Sequence, residues 1–311
     1  MKKVLVVTGP TASGKTTLAV NLAEALNGEI ISADSRQVYR FIPVSTSHPS
    51  QSDLKKIKHY FIDELDPKEE FNAGEFGIKG REIIKDIFKR NKLPIVAGGS
   101  GLYIRSIIDG LFEEKIDSDE IRKTLYEKLD KHGEEYLYEE LRQIDKEIYD
   151  QIPKGKIRRV IRALEVFHST GKKMSEFQKE KVDIEFKPVM IGIMYERKVL
   201  YERINKRVDQ MISEGLMEEV RDLIKKNLDY KKHYSLDTVG VKEVMKYFEG
   251  EYDIEEMTMM IKQNTRRYAK RQLTWFRRDA RINWISAEEG TDEKYLLEEA
   301  IRIFNDSQQM K

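Results

Sequence analysis

The chain has 311 residues, 40 % apolar and 36 % charged, with a net charge of +1 and no cysteine. That size allows one large α/β domain with a smaller inserted or appended one; the lack of cysteine excludes disulfides and thiolate zinc sites and makes a reducing cytoplasm the expected setting. The near-neutral balance excludes a globally basic protein, so any nucleic-acid footprint must come from local clusters.

The first residues, Met1-Lys2-Lys3-Val4-Leu5-Val6-Val7, are too short an apolar run for a secretory signal and lead into Thr8-Gly9-Pro10 with no small-residue cleavage site. Residues 3–8 read as a parallel strand covered on both faces. After a glycine-bearing loop, Lys15 to Leu26 places Leu18, Ala19, Leu22, Ala23 and Leu26 on one helical face. Glu29 to Asp34 reads as a second strand ending in a carboxylate. Asn72 to Arg90 reads as a helix with Phe76, Ile83, Ile84, Ile87 and Phe88 inward. Leu93 to Ala97 reads as a third strand, followed by Gly98-Gly99-Ser100-Gly101 and another helix. Strands alternating with helices predict an α/β fold, a P-loop NTPase-like doubly wound parallel sheet.

After Leu111 the strand signal fades. Residues 113–187 read as a helical insertion with breaks near Gly133, Pro153-Lys154-Gly155 and Gly171. Pro188 to Ile193 returns to strand character, so the core is expected to comprise residues 1–112 and 188–311. Residues 196–281 are mostly helical in pattern. No stretch is long and apolar enough to span a bilayer, and no membrane partner is expected.

Gly9-Pro10-Thr11-Ala12-Ser13-Gly14-Lys15-Thr16 fits G-x-x-x-x-G-K-[ST] between a predicted strand and a predicted helix. Such a loop turns backbone N–H groups toward phosphate oxygens, and the following helix adds its positive end. Lys15 neutralises charge and the Thr16 hydroxyl can ligate Mg²⁺. The pattern specifies a diphosphate or triphosphate, not a nucleotide. Asp34 has three readings on its own: a magnesium ligand, a general base beside the phosphates, or a loop or helix-capping carboxylate.

Two basic clusters stand out. Lys154, Lys156, Arg158, Arg159 and Arg162 run without an acidic residue, opposite an apolar face of Ile157, Val160, Ile161, Leu164 and Phe167. From Arg266 to Arg281, seven basic residues face Asp279 alone, interleaved with Tyr268, Trp275 and Phe276, aromatics expected in the core. The histidines show no metal-ligand spacing; His168 and His233 read as ordinary surface or core residues.

Asp34-Ser35-Arg36-Gln37-Val38-Tyr39 resembles the D-S-x-Q-x-Y signature of the tRNA dimethylallyltransferases. Gly98 to Tyr103 resembles that family's G-G-[TS]-x-L-Y, and Arg159 to Val166 its R-x-x-R-A-L-E-V. Arg203 and Arg207 sit in an R-I-x-x-R-V-like helix, and Thr265 to Gln272 with Trp275-Phe276-Arg277 resembles the basic C-terminal block. The chain is without a Cys/His zinc finger and so resembles the bacterial members. It departs from the family after Tyr39, where Phe41 to His48 replaces a glycine-rich pattern, and at Val241, where tyrosine is common.

The resemblance implies that the P-loop, Gly9 to Thr16, holds the diphosphate of dimethylallyl diphosphate rather than ATP. The prenyl carbon is then attacked by N6 of the adenosine just 3′ of the anticodon. Asp34 would be the general base, Ser100 would contact the adenosine, and Lys15, Arg207, Thr16 and Mg²⁺ would stabilise the leaving diphosphate. The tRNA contacts implied are Asp34, Ser35, Arg36, Gln37, Ser100, Arg122, Arg158, Arg159, Val160, Ile161, Arg162, Arg266, Arg267, Lys270, Arg271 and Gln272. A monomer is expected. The alternatives are an adenylate isopentenyltransferase, a P-loop NTPase or kinase with Asp34 on magnesium, and a tRNA-binding protein with a vestigial P-loop. Intact Lys15, Thr16 and Asp34 argue against the last.

Overall fold

A computed structural model describes residues 1–111, 119–180 and 182–309. Strand β1 (Lys2–Thr8) leads into helix α1 (Lys15–Ala25) and strand β2 (Gly28–Ser32). Short helices α2 (Pro43–Thr46) and α3 (Gln51–Lys56) precede the two-residue strand β3 (His59–Tyr60). Then come α4 (Ala73–Lys89), β4 (Leu93–Gly98) and α5 (Gly101–Ile108). Five helices follow: α6 (Asp119–His132), α7 (Glu134–Ile144), α8 (Lys146–Gln151), α9 (Ile157–Thr170) and α10 (Met174–Phe177). The chain ends with β5 (Phe186–Tyr195), α11 (Arg197–Ser213), α12 (Leu216–Lys225), α13 (Val241–Phe248), α14 (Ile254–Phe276), β6 (Ile282–Ala287) and α15 (Glu293–Gln309).

The chain divides into two compact units, Met1–Ile108 with Ile184–Lys311, and Asp109–Asp183. The expected boundary between residues 112 and 113 lies outside the described residues. At the other end, β5 begins at Phe186, two residues before the expected strand.

The first unit is built on a six-stranded sheet in the order β3-β2-β4-β1-β5-β6, with every pair parallel. It is the doubly wound α/β architecture read from the alternation of elements. β1 lies between β4 and β5, and five consecutive residues, Val4 to Thr8, are buried. A strand covered on both faces has no solvent side, so it reads as an unbroken apolar run. One core layer gathers Leu5 and Val7 of β1, Leu18 and Leu22 of α1, Ile191 and Ile193 of β5, and Ile204 of α11. The loops at the carboxyl ends of β1, β2 and β4 open where a sheet of this winding binds ligands.

β3 and β6, both edge strands, were not visible in the sequence pattern, nor were α2, α3 and α15. β3 is two residues long, too short for any period to show. β6 buries Ile282, Ile285 and Ala287, a spacing that is not the alternation of a half-buried strand. Asp34 stands two residues beyond the end of β2 rather than within it.

The second unit is helical. α7 starts after Gly133, α9 ends at Gly171, and α9 starts just after the Pro153–Gly155 segment. A further break falls at Asp145, whose buried carboxylate accepts from the amides of Ile148, at 3.2 Å, and Ser175, at 2.9 Å. Its core packs Leu125, Leu137 and Leu141 against Val160, Ile161 and Leu164. No helix among the described residues is long and apolar enough to cross a membrane.

Candidate active site

The loop after β1 is shaped by backbone conformations that favour special residues. Gly14, at the start of α1, has φ 86°, where an L side chain is strained, and Ala12 also takes a positive φ of 63°. Two arginines four residues apart on α11 reach this loop from one helix face. Arg203 Nε donates to the Ala12 carbonyl at 2.8 Å, and Arg207 Nη1 to Thr11 Oγ1 at 2.8 Å. Lys15 Nζ donates to the Pro10 carbonyl at 3.3 Å. Burial and the neighbouring Arg207 guanidinium press the Lys15 ammonium down to about 8, only partly opposed by Asp34. Burial also lowers Arg207. Cations that disfavour one another in a desolvated loop make a receptor for an anion. The Ser13 hydroxyl is buried here without a hydrogen-bond partner, which a bound oxyanion would supply.

A second group of residues sits beside the first. Asp34 accepts the Arg36 amide at 2.9 Å, and its charge acts on Lys15, Arg207 and the Tyr268 phenol. Ser100, in the loop after β4, accepts the Ser35 amide at 3.0 Å and donates its own amide to the Ala33 carbonyl at 3.1 Å. Two chain-distant loops are thereby locked together. The phenol of Tyr268 on α14 is pushed up, first by burial and then by Asp34. Tyr103, in the first turn of α5, is buried and stacked on Phe76 at 4.4 Å between ring centroids.

Several residues expected to touch tRNA have other work. Gln37 is buried, accepts from Ser32 Oγ at 2.8 Å and donates to the carbonyls of Thr46 and Ser47 at 3.1 and 3.0 Å. It anchors the divergent 41–48 loop, which Glu219 also holds by accepting from the amides of Val44 and Ser45. Gln272 is likewise buried and spans two loops, accepting from Thr11 N and donating to Gly99 O. Val160 and Ile161 lie in the core of the helical unit, at 0 % and 3 % exposure. The motif spans two faces of one helix, because α9 turns every third or fourth residue inward. Their neighbours Arg158, Arg159 and Arg162 are exposed.

Other expected contacts remain at the surface. Arg36 donates to the carbonyls of Tyr234 and Asp237 at 2.8 and 3.3 Å and lies 4.5 Å from the Tyr234 ring centroid. Arg267, Lys270 and Arg271 are exposed on α14, whereas Arg266 is half-buried and donates to Asn205 at 2.7 Å. Of the aromatics expected in the core, only Phe276 is there. Trp275 is 40 % exposed, and Tyr268 is half-buried. In the helical unit, Arg122 and Arg162 share the buried Glu165 carboxylate, at 2.7 and 3.2 Å.

Arg203, Tyr268 and Glu165 had been given no role from the sequence. The first two carried a signal: Arg203 precedes Arg207 by four residues, and Tyr268 precedes Gln272 by four, so each pair shares a helix face.

A family model described as IPP transferase matches residues 37–279. The chain is 45 % identical over 305 residues to a tRNA dimethylallyltransferase of Halothermothrix orenii, covering 97 % of this chain and 92 % of that one. It is 46 % identical over 288 residues to one of a Thermoanaerobacter species, covering 91 % of each. Among solved structures, a tRNA isopentenylpyrophosphate transferase of Bacillus halodurans superposes with a TM-score of 0.73 at 36 % identity, over 98 % of this chain and 96 % of that one. A eukaryotic dimethylallyltransferase described as acting on tRNA gives a TM-score of 0.84 at 29 % identity, over 98 % of this chain and 79 % of that one.

Proposed function

The chain belongs to the IPP transferase family of tRNA dimethylallyltransferases, and from that premise we propose how its residues divide the work of moving a dimethylallyl group onto tRNA. The donor is dimethylallyl diphosphate, held by Gly9 to Thr16. The acceptor is N6 of the adenosine 3′ of the anticodon, unstacked to reach the site. The observation that carries this reading is that Arg207 bonds Thr11 of the loop bearing Lys15, that Gln272 ties this loop to Gly99, and that the adjoining Ser100 hydroxyl accepts the amide of Ser35, next to Asp34. A carboxylate is thereby held in a segment joined to the loop that adjoins the anion receptor.

An exocyclic amine on adenine is a weak nucleophile because its lone pair is delocalised into the ring. Asp34 accepts the N6 proton as the N6–C1 bond forms, which is general-base work. The C1–O bond breaks and its electron pair leaves with the diphosphate. Lys15 and Arg207 meet that negative charge where it develops. Ser100 and Tyr268 orient the base, and Arg203 holds the loop through the Ala12 carbonyl. The Thr16 hydroxyl, a hard oxygen donor next to Lys15, suits Mg²⁺, which takes few protein ligands and completes its shell with phosphate oxygens and water. When bound, the ion supplies further charge for the leaving diphosphate.

The exposed arginines of α9 and the basic face of α14 contact tRNA phosphates, which position a nucleic acid without reading its sequence. Purified protein with Mg²⁺, dimethylallyl diphosphate and unmodified tRNA should yield N6-isopentenyladenosine without ATP, detected by nucleoside mass spectrometry. ATP hydrolysis with no prenylated nucleoside would refute the reading, and prenylation of free AMP in preference to tRNA would reassign the acceptor.

A further inference from the structure

We propose that Gln272 is a positioning residue that sets the gap between the donor loop and the acceptor loop; the inference rests on the function proposed above. Its carboxamide oxygen accepts from the Thr11 amide at 2.8 Å, and its amide nitrogen donates to the Gly99 carbonyl at 2.9 Å. Thr11 belongs to the diphosphate loop after β1, and Gly99 immediately precedes Ser100 in the loop after β4. The two contacts lie at opposite ends of one planar group, so the side chain acts as a spacer of fixed length.

Three further features support this role. Gln272 is 6 % exposed and each end of its amide already holds a loop backbone group, so the side chain is committed inside the protein rather than presented at the surface. Its orientation is unique, because a flipped amide would set N–H against N–H and oxygen against oxygen. The approach also requires glycine at 99: a Cβ there would stand 2.2 Å from Gln272 Nε2, and 3.5 Å from Lys15 Cε.

Both loops carry reacting groups. Thr11 also accepts from Arg207, which faces the leaving diphosphate, and Ser100, next to Gly99, accepts the Ser35 amide beside Asp34. Helix α14 therefore touches the donor loop and the acceptor loop through one side chain. Transfer between two separately bound substrates depends on the distance between C1 and N6. A displacement of about 1 Å can cost on the order of 10²-fold in rate. A spacer of this kind acts on the rate of transfer and leaves each substrate's own contacts in place.

The test uses Gln272→Leu and Gln272→Met, which keep most of the volume and remove both hydrogen bonds. Single-turnover prenylation of tRNA is measured at saturating donor, together with the affinities for dimethylallyl thiolodiphosphate and for tRNA. The expected result is a roughly 10- to 100-fold slower transfer, with both affinities within about threefold of wild type. Retained donor affinity shows that the variants fold. A transfer rate within twofold of wild type overturns the proposal. So does a loss confined to tRNA affinity, which would make Gln272 a tRNA contact, or to donor affinity, which would make it a brace of the phosphate loop alone. The wild-type rate by itself tests the proposed function, and only the ratio of variant to wild type tests Gln272.

Discussion

Lys15 offers a quantitative test of the diphosphate assignment through pH. In the free protein its ammonium is pressed from the ordinary 10.5 to about 8, first by burial and then by Arg207. A bound diphosphate supplies the missing counter-charge and returns it to about 10.5 or above. Below pH 8 Lys15 is charged in both states, so binding takes up no proton and affinity is level. Between pH 8 and 10.5 it is neutral in the free protein and charged in the complex, so binding takes up nearly one proton and weakens as pH rises. Each unit is worth about tenfold, and from pH 7 to pH 9.5 the dissociation constant should rise about thirtyfold. The donor's terminal phosphate loses its last proton near pH ~6 and adds no slope in this window.

The assay is calorimetric titration with dimethylallyl thiolodiphosphate, in two buffers of different ionisation enthalpy, so that proton uptake is read directly. In Lys15→Arg the guanidinium stays charged throughout, and the slope should vanish. A level wild-type profile, or a slope that survives in Lys15→Arg, would show that Lys15 does not face the diphosphate.

Asp34→Asn keeps the shape of the side chain but cannot take the N6 proton. Transfer should slow roughly 10²- to 10⁴-fold with tRNA affinity nearly intact; an unchanged rate with a displaced Mg²⁺ requirement would make Asp34 a metal ligand instead. Arg158→Gln combined with Arg162→Gln removes two exposed charges from α9. Titrations at several salt concentrations should give weaker tRNA binding, a salt slope lowered by roughly one unit per lost phosphate contact, and an unaltered donor constant. If instead only donor binding falls, the helix supports the catalytic centre rather than the tRNA.

The sequence alone determined the features whose physics is local. A phosphate loop is a run of backbone conformations closed by a helix start, so eight consecutive residues from Gly9 to Thr16 carry its whole signal. Buried parallel strands and amphipathic helices show themselves by period, which made the α/β alternation and the helical character after Leu111 legible. The acidic and basic residues of the motifs could be named, yet their partners could not. The Thr11–Gln272 hydrogen bond joins residues 261 apart, and Ser35 meets Ser100 across 65. Chain distance leaves no periodic trace, so only the tertiary structure decided that Gln272 spans two loops and that Gln37 holds the 41–48 segment. Burial separated Val160 and Ile161 from the arginines beside them, because helical geometry sends neighbours in sequence to opposite faces. The edge strands β3 and β6 stayed hidden for a related reason: their pairing is fixed by the neighbouring strand, not by any pattern of their own.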